Sequence, residues 1–135
     1  MDSMNAWCVE HHGASGLTKA VLESNMTLQG AEDQVLSLVK RHVPKQRHAV
    51  LAGNSIHVDR QFLCKYMPRL VEHLHYRIVD VSTLKELASR WFPKQFDARP
   101  EKKLSHRALS DIEESIAELK YYRDSIFITT EQTNT

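Results

Sequence analysis

The chain has 135 residues, 41% of them hydrophobic and 26% charged, which is typical of one folded domain and excludes a disordered or fibrous protein. Its formal net charge is +1, so overall charge does not attract nucleic acid, and contact with a polyanion requires a local patch or a metal site. The two cysteines show neither a disulfide framework nor a zinc-knuckle pattern, and no signal or transit peptide is recognisable, so we expect an intracellular protein. Because no apolar run approaches ~18 residues, we expect no membrane-spanning helix.

The first half of the chain predicts two helices followed by a strand. A helix is expected from Leu17 to about Glu23. Thr27 can cap a second helix, in which apolar residues recur at every third and fourth position until Pro44 ends it. The short apolar run from His48 to Gly53 predicts a buried strand.

The second half predicts a helix, a strand and two further helices. The helix over 57–67 has Pro68 near its end, the strand spans 76–81, and Ser82 or Thr83 caps a helix that stops at Pro93. A charged loop over 92–103 leads to a last helix that starts at Ser105. The side chains expected on buried helical faces are Val58, Phe62, Leu63 and Tyr66, then Leu109, Ile112, Ile116, Leu119 and Tyr122.

Two strands interleaved with helices predict an α/β domain. We assign it to residues 1–128 and expect the polar tail, 129–135, to be disordered. Asp59 lies six residues beyond the end of the first strand, and sites in open α/β sheets gather at the carboxyl ends of strands. Taken alone, Asp59 is more typical of an acid that only stabilises a helix N-terminus through the helix dipole.

His106 and Asp111 form a second candidate pair. Five residues on one helix place them roughly 140° apart, so they share a site only if His106 lies in the loop or the first turn. Asp111 flanks the expected buried stripe, where a carboxylate needs a partner, a metal or water. The alternative is a solvated acid in a turn that also contains Glu113 and Glu114.

Two histidine pairs, His11 with His12 and His73 with His75, invite a zinc interpretation. Zinc sites need three or four ligands in a closed geometry, and no further ligands occur at suitable spacing. A zinc site is therefore not favoured.

Four sequence blocks are distinctive in combination. They are Trp7-Cys-Val-Glu-His-His12-Gly; Gly53-Asn-Ser-Ile-His-Val-Asp59; His73-Leu-His-Tyr-Arg77 with Asp80-Val-Ser-Thr-Leu-Lys-Glu-Leu87; and Ser105-His-Arg-Ala-Leu-Ser-Asp111-Ile. Together they resemble the oligoribonuclease family of DEDDh 3′→5′ exonucleases over residues 2–127. The resemblance implies an RNase H-like α/β fold and degradation of short oligoribonucleotides, down to dinucleotides, to mononucleotides. It also implies a homodimer.

The resemblance implies a role for each matching residue. In the family, four carboxylates hold two Mg²⁺ or Mn²⁺ ions; Asp59 and Asp111 match two of these carboxylates, and His106 matches the general base. Trp7 matches an aromatic residue that stacks on a base, and Tyr76 matches a tyrosine donated across the dimer into the partner's site. The residues that match the grip on the substrate's terminal phosphate are His12, Ser55, Arg77 and Ser82.

The chain departs from the family pattern near Met1. Family members begin with strands that carry Asp-x-Glu, and no such motif lies in an apolar strand here. We therefore expect an N-terminally truncated RNase H-like fold, with about two parallel strands, flanking helices and an incomplete two-ion site. The alternative to an exonuclease is an inactive remnant that at most binds oligonucleotides or dimerises. Because a targeting segment would lie upstream, cytoplasmic and mitochondrial locations both stay open.

Overall fold

The computed structural model describes residues 13–14, 16–101 and 108–127. The helices are α1 (Leu17–Glu23), α2 (Leu28–His42), α3 (Ile56–Tyr66), α4 (Pro68–His73), α5 (Val81–Trp91), α6 (Pro93–Asp97) and α7 (Ala108–Ser125). The strands are β1 (Leu51–Gly53) and β2 (Ile78–Asp80). The expected start of the last helix at Ser105 and the polar tail lie outside the described residues, so both stay predictions, as does the domain boundary.

The two strands pair in parallel, with Leu51 opposite Ile78 and Gly53 opposite Asp80. The α/β class and the parallel pairing expected from two apolar runs are confirmed, although both strands are shorter than predicted. Helices α3 and α4 form the crossover between them. Within the described ranges β1 pairs only with β2, so the other edge of β1 is open.

Of the two helix caps predicted from the sequence, the cap of α2 is observed and the cap of α5 is a different residue. The Thr27 side chain accepts a hydrogen bond from the Gly30 N–H at 3.0 Å, so the predicted cap of α2 is confirmed. Helix α5 is capped by Asp80 rather than by Ser82 or Thr83, and the Asp80 side chain accepts from the Ser82 N–H. The carboxylate at the end of the strand therefore starts the following helix.

Two prolines begin helices instead of only ending them. Pro68 and Pro93 occupy the first position of α4 and α6, after Met67 and Phe92 with extended φ angles of −136° and −135°. Proline fits this position because the missing N–H has no helical partner there and its φ is already helical. The prediction of a charged loop over 92–103 was therefore wrong for residues 93–97, which form α6.

The core is small. Its apolar side chains among the described residues are Leu36, Ile56, Leu70, Val81, Ala88 and Tyr122. The Tyr122 hydroxyl donates to Glu118 Oε1 at 3.4 Å, and burial raises the pKa of Tyr122 to about 12. None of the described helices is both long enough and apolar enough to cross a membrane.

The predicted buried stripe of the last helix is largely exposed. Leu109, Ile112 and Ile116 are 70%, 56% and 49% exposed, and only Tyr122 of that stripe is buried. On α3 the same correction applies: Val58, Phe62 and Tyr66 are exposed, whereas Leu63 is half-buried. The periodicity identified apolar faces correctly, but much of these faces lines a cleft that no described residue fills.

A carboxylate on α2 anchors the start of α4. Glu32 Oε1 accepts the backbone N–H groups of Arg69 at 2.8 Å and Leu70 at 3.1 Å, and its Oε2 accepts Arg69 Nε at 3.0 Å. Burial raises the pKa of Glu32, but these donors outweigh burial and the net pKa is lowered. Arg69 also pairs with Asp33. This junction fixes α2 against the crossover between the strands.

Two apolar clefts border strand β1. A cleft of about 340 Å³ lies between α2 and β1, with walls that include Val35, Leu38, Val50 and Leu51. A second cleft, between α3 and α7, is also lined by Leu51. An open strand edge flanked by exposed apolar side chains favours association with further chain segments.

We therefore expect the isolated chain to be marginally stable and to associate or aggregate. Val50→Lys places a charge beside the open edge of β1 and should reduce association, because charged residues block pairing at sheet edges. Val21→Lys on α1 is the matched control, since Val21 is 56% exposed against 44% for Val50. Size-exclusion chromatography with light scattering measures the effect. A monodisperse monomer that melts cooperatively would contradict the expectation.

Candidate functional site

Polar side chains collect at the carboxyl edge of the two-stranded sheet. Asn54 and Ser55 follow β1, and Asp80 and Ser82 lie at the end of β2. The parallel register sets the ends of the strands side by side, so these residues meet where open α/β sheets place their binding sites.

One oxygen of Asp80 organises this edge. Asp80 Oδ1 accepts the backbone N–H of Ser55 at 2.9 Å and that of Ser82 at 3.0 Å. Ser55 is the N-cap of α3 and has a left-handed φ of 51°, a costly conformation for a residue with a side chain. The Ser55 N–H also donates to Ser82 Oγ at 2.9 Å, and the two serine hydroxyl oxygens are 3.3 Å apart. A single carboxylate thus holds the backbone of both serines at the starts of α3 and α5.

The second oxygen of Asp80 faces His57. His57 Nδ1 lies 3.4 Å from Asp80 Oδ2. Partial burial raises the pKa of Asp80, but the donors from Ser82, His57 and Ser55 outweigh it, so the net pKa is lowered. Asp80 was not among the site residues predicted from the sequence. The pattern Asp80-Val-Ser82 at the end of a strand could have indicated it, because Asp caps a helix by accepting from the N–H two residues later.

A chain of side-chain hydrogen bonds continues from the serine pair to α7. Ser82 Oγ donates to Asn54 Oδ1 at 3.3 Å, and Asn54 Nδ2 donates to Ser115 Oγ at 2.6 Å. Ser115 Oγ donates to the carbonyl oxygen of Asp111 at 2.7 Å. The polar edge of the sheet is therefore tied to the helical turn that carries Asp111.

Asp59 and Asp111 line the same cleft, of about 700 Å³, beside the carboxyl end of β1. Asp59 comes from α3 and Asp111 from α7, and the apolar walls include Leu51, Phe62 and Ile116. The structure thus brings together two acids that lie 52 positions apart in the sequence.

The donor set of this cleft fits a two-ion site only in part. Carboxylate oxygens are the ligands that Mg²⁺ prefers, so Asp59 and Asp111 have suitable chemistry. Two carboxylates are nevertheless too few for two divalent cations, and the described ranges contain no group of three His, Cys, Asp or Glu side chains placed to hold a metal. The described residues alone do not complete the site.

The remaining site residues predicted from the sequence do not lie at this edge of the sheet or lie outside the described residues. Tyr76 and Arg77 precede β2, at the end of the sheet opposite Ser55 and Ser82, and in the described structure neither hydrogen-bonds to either serine. Trp7, His12 and His106 lie outside the described residues, so their roles stay predictions.

The histidines considered for zinc take part in structural contacts. The ring Nε2 of buried His73 lies 3.0 Å from the carbonyl oxygen of Val43. His75 Nδ1 accepts the N–H of Arg77 at 3.0 Å. These ring nitrogens hold the turn that precedes β2 against the end of α2.

Comparison with known proteins decides the family. A family model described as Exonuclease matches residues 1–119. The chain belongs to the exonuclease family. Membership implies an RNase H-like α/β fold, and exonucleases of this kind generally use divalent metal ions.

The relatives of the chain are oligoribonucleases, so the resemblance to that family is confirmed. The chain is 59% identical over 127 residues to the mitochondrial oligoribonuclease of Bos taurus and 58% identical over 127 residues to that of Homo sapiens. Each match covers 94% of this chain and 53% of the relative. The oligoribonuclease of Corynebacterium glutamicum is 54% identical over 125 residues, which is 93% of this chain and 57% of the relative. The chain spans about half the length of the curated relatives it matches.

The lowered pKa of Asp80 predicts a pH-dependent stability. The stabilisation by its charged form is complete above the pKa of an unfolded aspartate, about 4, and is lost as pH falls through the lower pKa of the folded protein. Asp80→Asn should therefore be less stable than the wild-type chain near neutral pH, by about 1–3 kcal/mol, and the difference should shrink in acid.

Unfolding followed by circular dichroism over a pH series measures this difference. The control is Asp97→Asn, because Asp97 is exposed at the end of α6. This control should leave stability close to that of the wild-type chain at every pH. A difference between Asp80→Asn and wild type that stays constant from neutral to acid pH would show that the charge of Asp80 contributes nothing.

Proposed function

We propose that this chain supplies the phosphate-binding edge and two metal-binding carboxylates of a 3′→5′ exoribonuclease. Its substrates are short oligoribonucleotides, down to dinucleotides, which it degrades to mononucleotides. The observation that carries the proposal is the position of Asp59 and Asp111, which line one cleft beside the carboxyl end of β1. The similarity to oligoribonucleases over 94% of the chain supports this class of substrate.

The open edge of β1 is the place where the site would be completed. An RNase H-like sheet that is N-terminally truncated lacks the strands that carry Asp-x-Glu, and added strands would extend the sheet from this edge. Such strands would also cover exposed Phe62, Ile112 and Ile116, which lie in the same cleft as both carboxylates. We therefore assign Asp59 and Asp111 as Mg²⁺ or Mn²⁺ ligands that act together with carboxylates from the added segment.

The serine pair suits the terminal phosphate of the substrate. The Ser55 and Ser82 hydroxyls lie at the N-termini of α3 and α5, whose helix dipoles favour an anion. The N–H groups of the two serines already donate to Asp80, so the hydroxyls are the groups left to bind a phosphate. We assign both hydroxyls to this phosphate, together with His12; Arg77 lies at the other end of the same sheet and, like Tyr76, is assigned to the phosphate in the site of a second copy of the chain. A clamp at that position limits the substrate to very short chains.

Two further roles come from residues beyond the described ranges. Trp7 stacks on a base, an interaction worth roughly 1–3 kcal/mol. His106 acts as the general base that takes a proton from the attacking water.

Tyr76 is assigned to the site of a second copy of the chain. The ring is 68% exposed and precedes β2, at the opposite end of the sheet from the serine pair. A tyrosine in this position serves a neighbouring site more readily than its own. We therefore propose a homodimer whose sites each receive Tyr76 from the partner.

The alternative, an inactive module that at most binds oligonucleotides or dimerises, is not favoured by the comparisons. The matches to oligoribonucleases cover nearly all of this chain. The cleft also holds both acids that the family resemblance assigns to metal binding.

Activity should depend on completing the carboxylate set. We expect the 135-residue chain alone to hydrolyse a short RNA negligibly with Mg²⁺ or Mn²⁺, because two carboxylates are too few to hold two ions. Supplying an upstream segment with Asp-x-Glu should restore hydrolysis, measured as release of mononucleotides by chromatography. Full activity of the chain as it stands would contradict the two-carboxylate argument.

In the restored protein, His106→Ala should lower kcat by roughly 100- to 10,000-fold, the usual contribution of a general base. Asp59→Ala and Asp111→Ala should be at least as severe and should weaken metal binding, which isothermal titration with Mn²⁺ measures. Asp97→Ala is the matched control and should retain full activity. Normal metal binding by both Asp59→Ala and Asp111→Ala would count against their assignment as ligands.

Subunit mixing tests the shared site. A heterodimer of Asp59→Ala and Tyr76→Ala protomers of the restored protein should regain up to half of wild-type activity, because one of its two sites then contains only wild-type residues. Pairing Asp59→Ala with Ser82→Ala is the control, since both residues act in the site of their own protomer and no intact site forms. Equal rates for the two mixtures, after confirmed subunit exchange, would rule out donation of Tyr76 by the partner.

A further inference from the structure

The segment 75–77 lies in the turn between α4 and β2, and its start is fixed against the loop before β1. The His75 N–H donates to the carbonyl oxygen of Ala49 at 2.7 Å, and the Arg47 N–H donates to that of His73 at 2.7 Å. These two bonds continue the contact between the chain segments that pair as β1 and β2. The backbone is therefore held in place before β2 begins.

The side chain of His75 contacts the next two residues. Its ring lies 4.6 Å from that of Tyr76, measured between centroids, at an interplanar angle of 25°. Successive side chains of a regular strand point to opposite faces, so neighbouring rings can stack only where the backbone bends. The chain bends at Tyr76, and the Arg77 N–H closes the bend by donating to His75 Nδ1 at 3.0 Å. One histidine ring thus holds both the bend and the tyrosine.

The two residues that follow His75 face solvent more than His75 does. His75 is half-buried, whereas Tyr76 is 68% exposed and Arg77 is exposed. The Arg77 guanidinium lies 5.3 Å from the centre of the Tyr76 ring, so this ring contacts both of its neighbours. A side chain that is exposed but already held in one orientation loses less conformational freedom when it binds.

We propose that His75 is a positioning residue, whose ring holds Tyr76 and Arg77 in the orientation in which they enter the site of the partner copy. The inference rests on the proposed function, in which both residues act in that site. His75 itself is assigned no contact with substrate. Loss of a ring stack of this kind should weaken the binding of substrate roughly two- to tenfold.

The test places one substitution on either side of the same active site. In the reference mixture of the restored protein, one protomer carries Asp59→Ala and the other Tyr76→Ala. The heterodimer then has one intact site, in the Tyr76→Ala protomer, and this site receives Tyr76 from the Asp59→Ala protomer. His75→Asn is added to either protomer, because asparagine keeps an acceptor for the N–H two residues later and removes the ring.

His75→Asn in the Asp59→Ala protomer removes the stack from the donated tyrosine. It should raise KM for a 5′-phosphorylated dinucleotide roughly two- to tenfold and leave kcat close to the reference value. The same substitution in the Tyr76→Ala protomer should leave KM at the reference value. A purely structural effect of His75→Asn would change both mixtures alike.

Two further variants of the Asp59→Ala protomer separate the ring stack from other effects. His75→Phe keeps a flat ring, and water can bind the N–H of exposed Arg77, so KM should stay close to the reference value. His48→Ala is the matched control, because His48 also has a local hydrogen bond, from Nδ1 to the carbonyl oxygen of Gln46 at 3.0 Å. This control should leave KM unchanged.

Equal KM values for the two placements of His75→Asn would overturn the positioning role, as would a KM for His75→Phe as high as that for His75→Asn. Either result, with an active reference mixture, leaves the shared site intact. An inactive reference mixture after confirmed subunit exchange would instead refute the donation of Tyr76, and the inference would fail with it.

Discussion

The carboxylate of Asp80 is the contact on which the candidate site depends. Its Oδ1 accepts N–H groups from residues that start two different helices, Ser55 of α3 and Ser82 of α5. The position of α7 follows from the same junction, because the hydrogen-bond chain from Ser82 ends at the turn that carries Asp111. The Ser55 and Ser82 hydroxyls and the turn that carries Asp111 are therefore linked through one ionised side chain, whose pKa is lowered by the donors around it.

The open edge of β1 explains why the core is small and so many apolar side chains are exposed. Two clefts that border this strand have apolar walls contributed by α2, α3 and α7. The two carboxylates lie in the larger cleft, together with exposed Phe62 and Ile116. Under the function we propose, strands added at this edge would cover these apolar side chains and supply further metal ligands on the same surface.

Charge is distributed along the strand direction. Asp59 and Asp111 lie at the carboxyl end of the sheet, whereas Lys45 and Arg47 lie in the loop before β1, at its amino end. A net charge of +1 conceals this separation.

The sequence by itself determined the helix from Leu17 to Glu23, the cap at Thr27, the parallel strand pair and membership of the exonuclease family. Capping, periodicity and motif spacing act over a few residues or a fixed pattern, so they can be read without a fold. Only the tertiary structure decided that Asp59 and Asp111 line one cleft and that Asp80 joins two helices. The tertiary structure also decided which apolar helix faces are buried. The burial of Ile112 depends on the segments that pack against α7, and the helical periodicity of α7 contains no information about those segments.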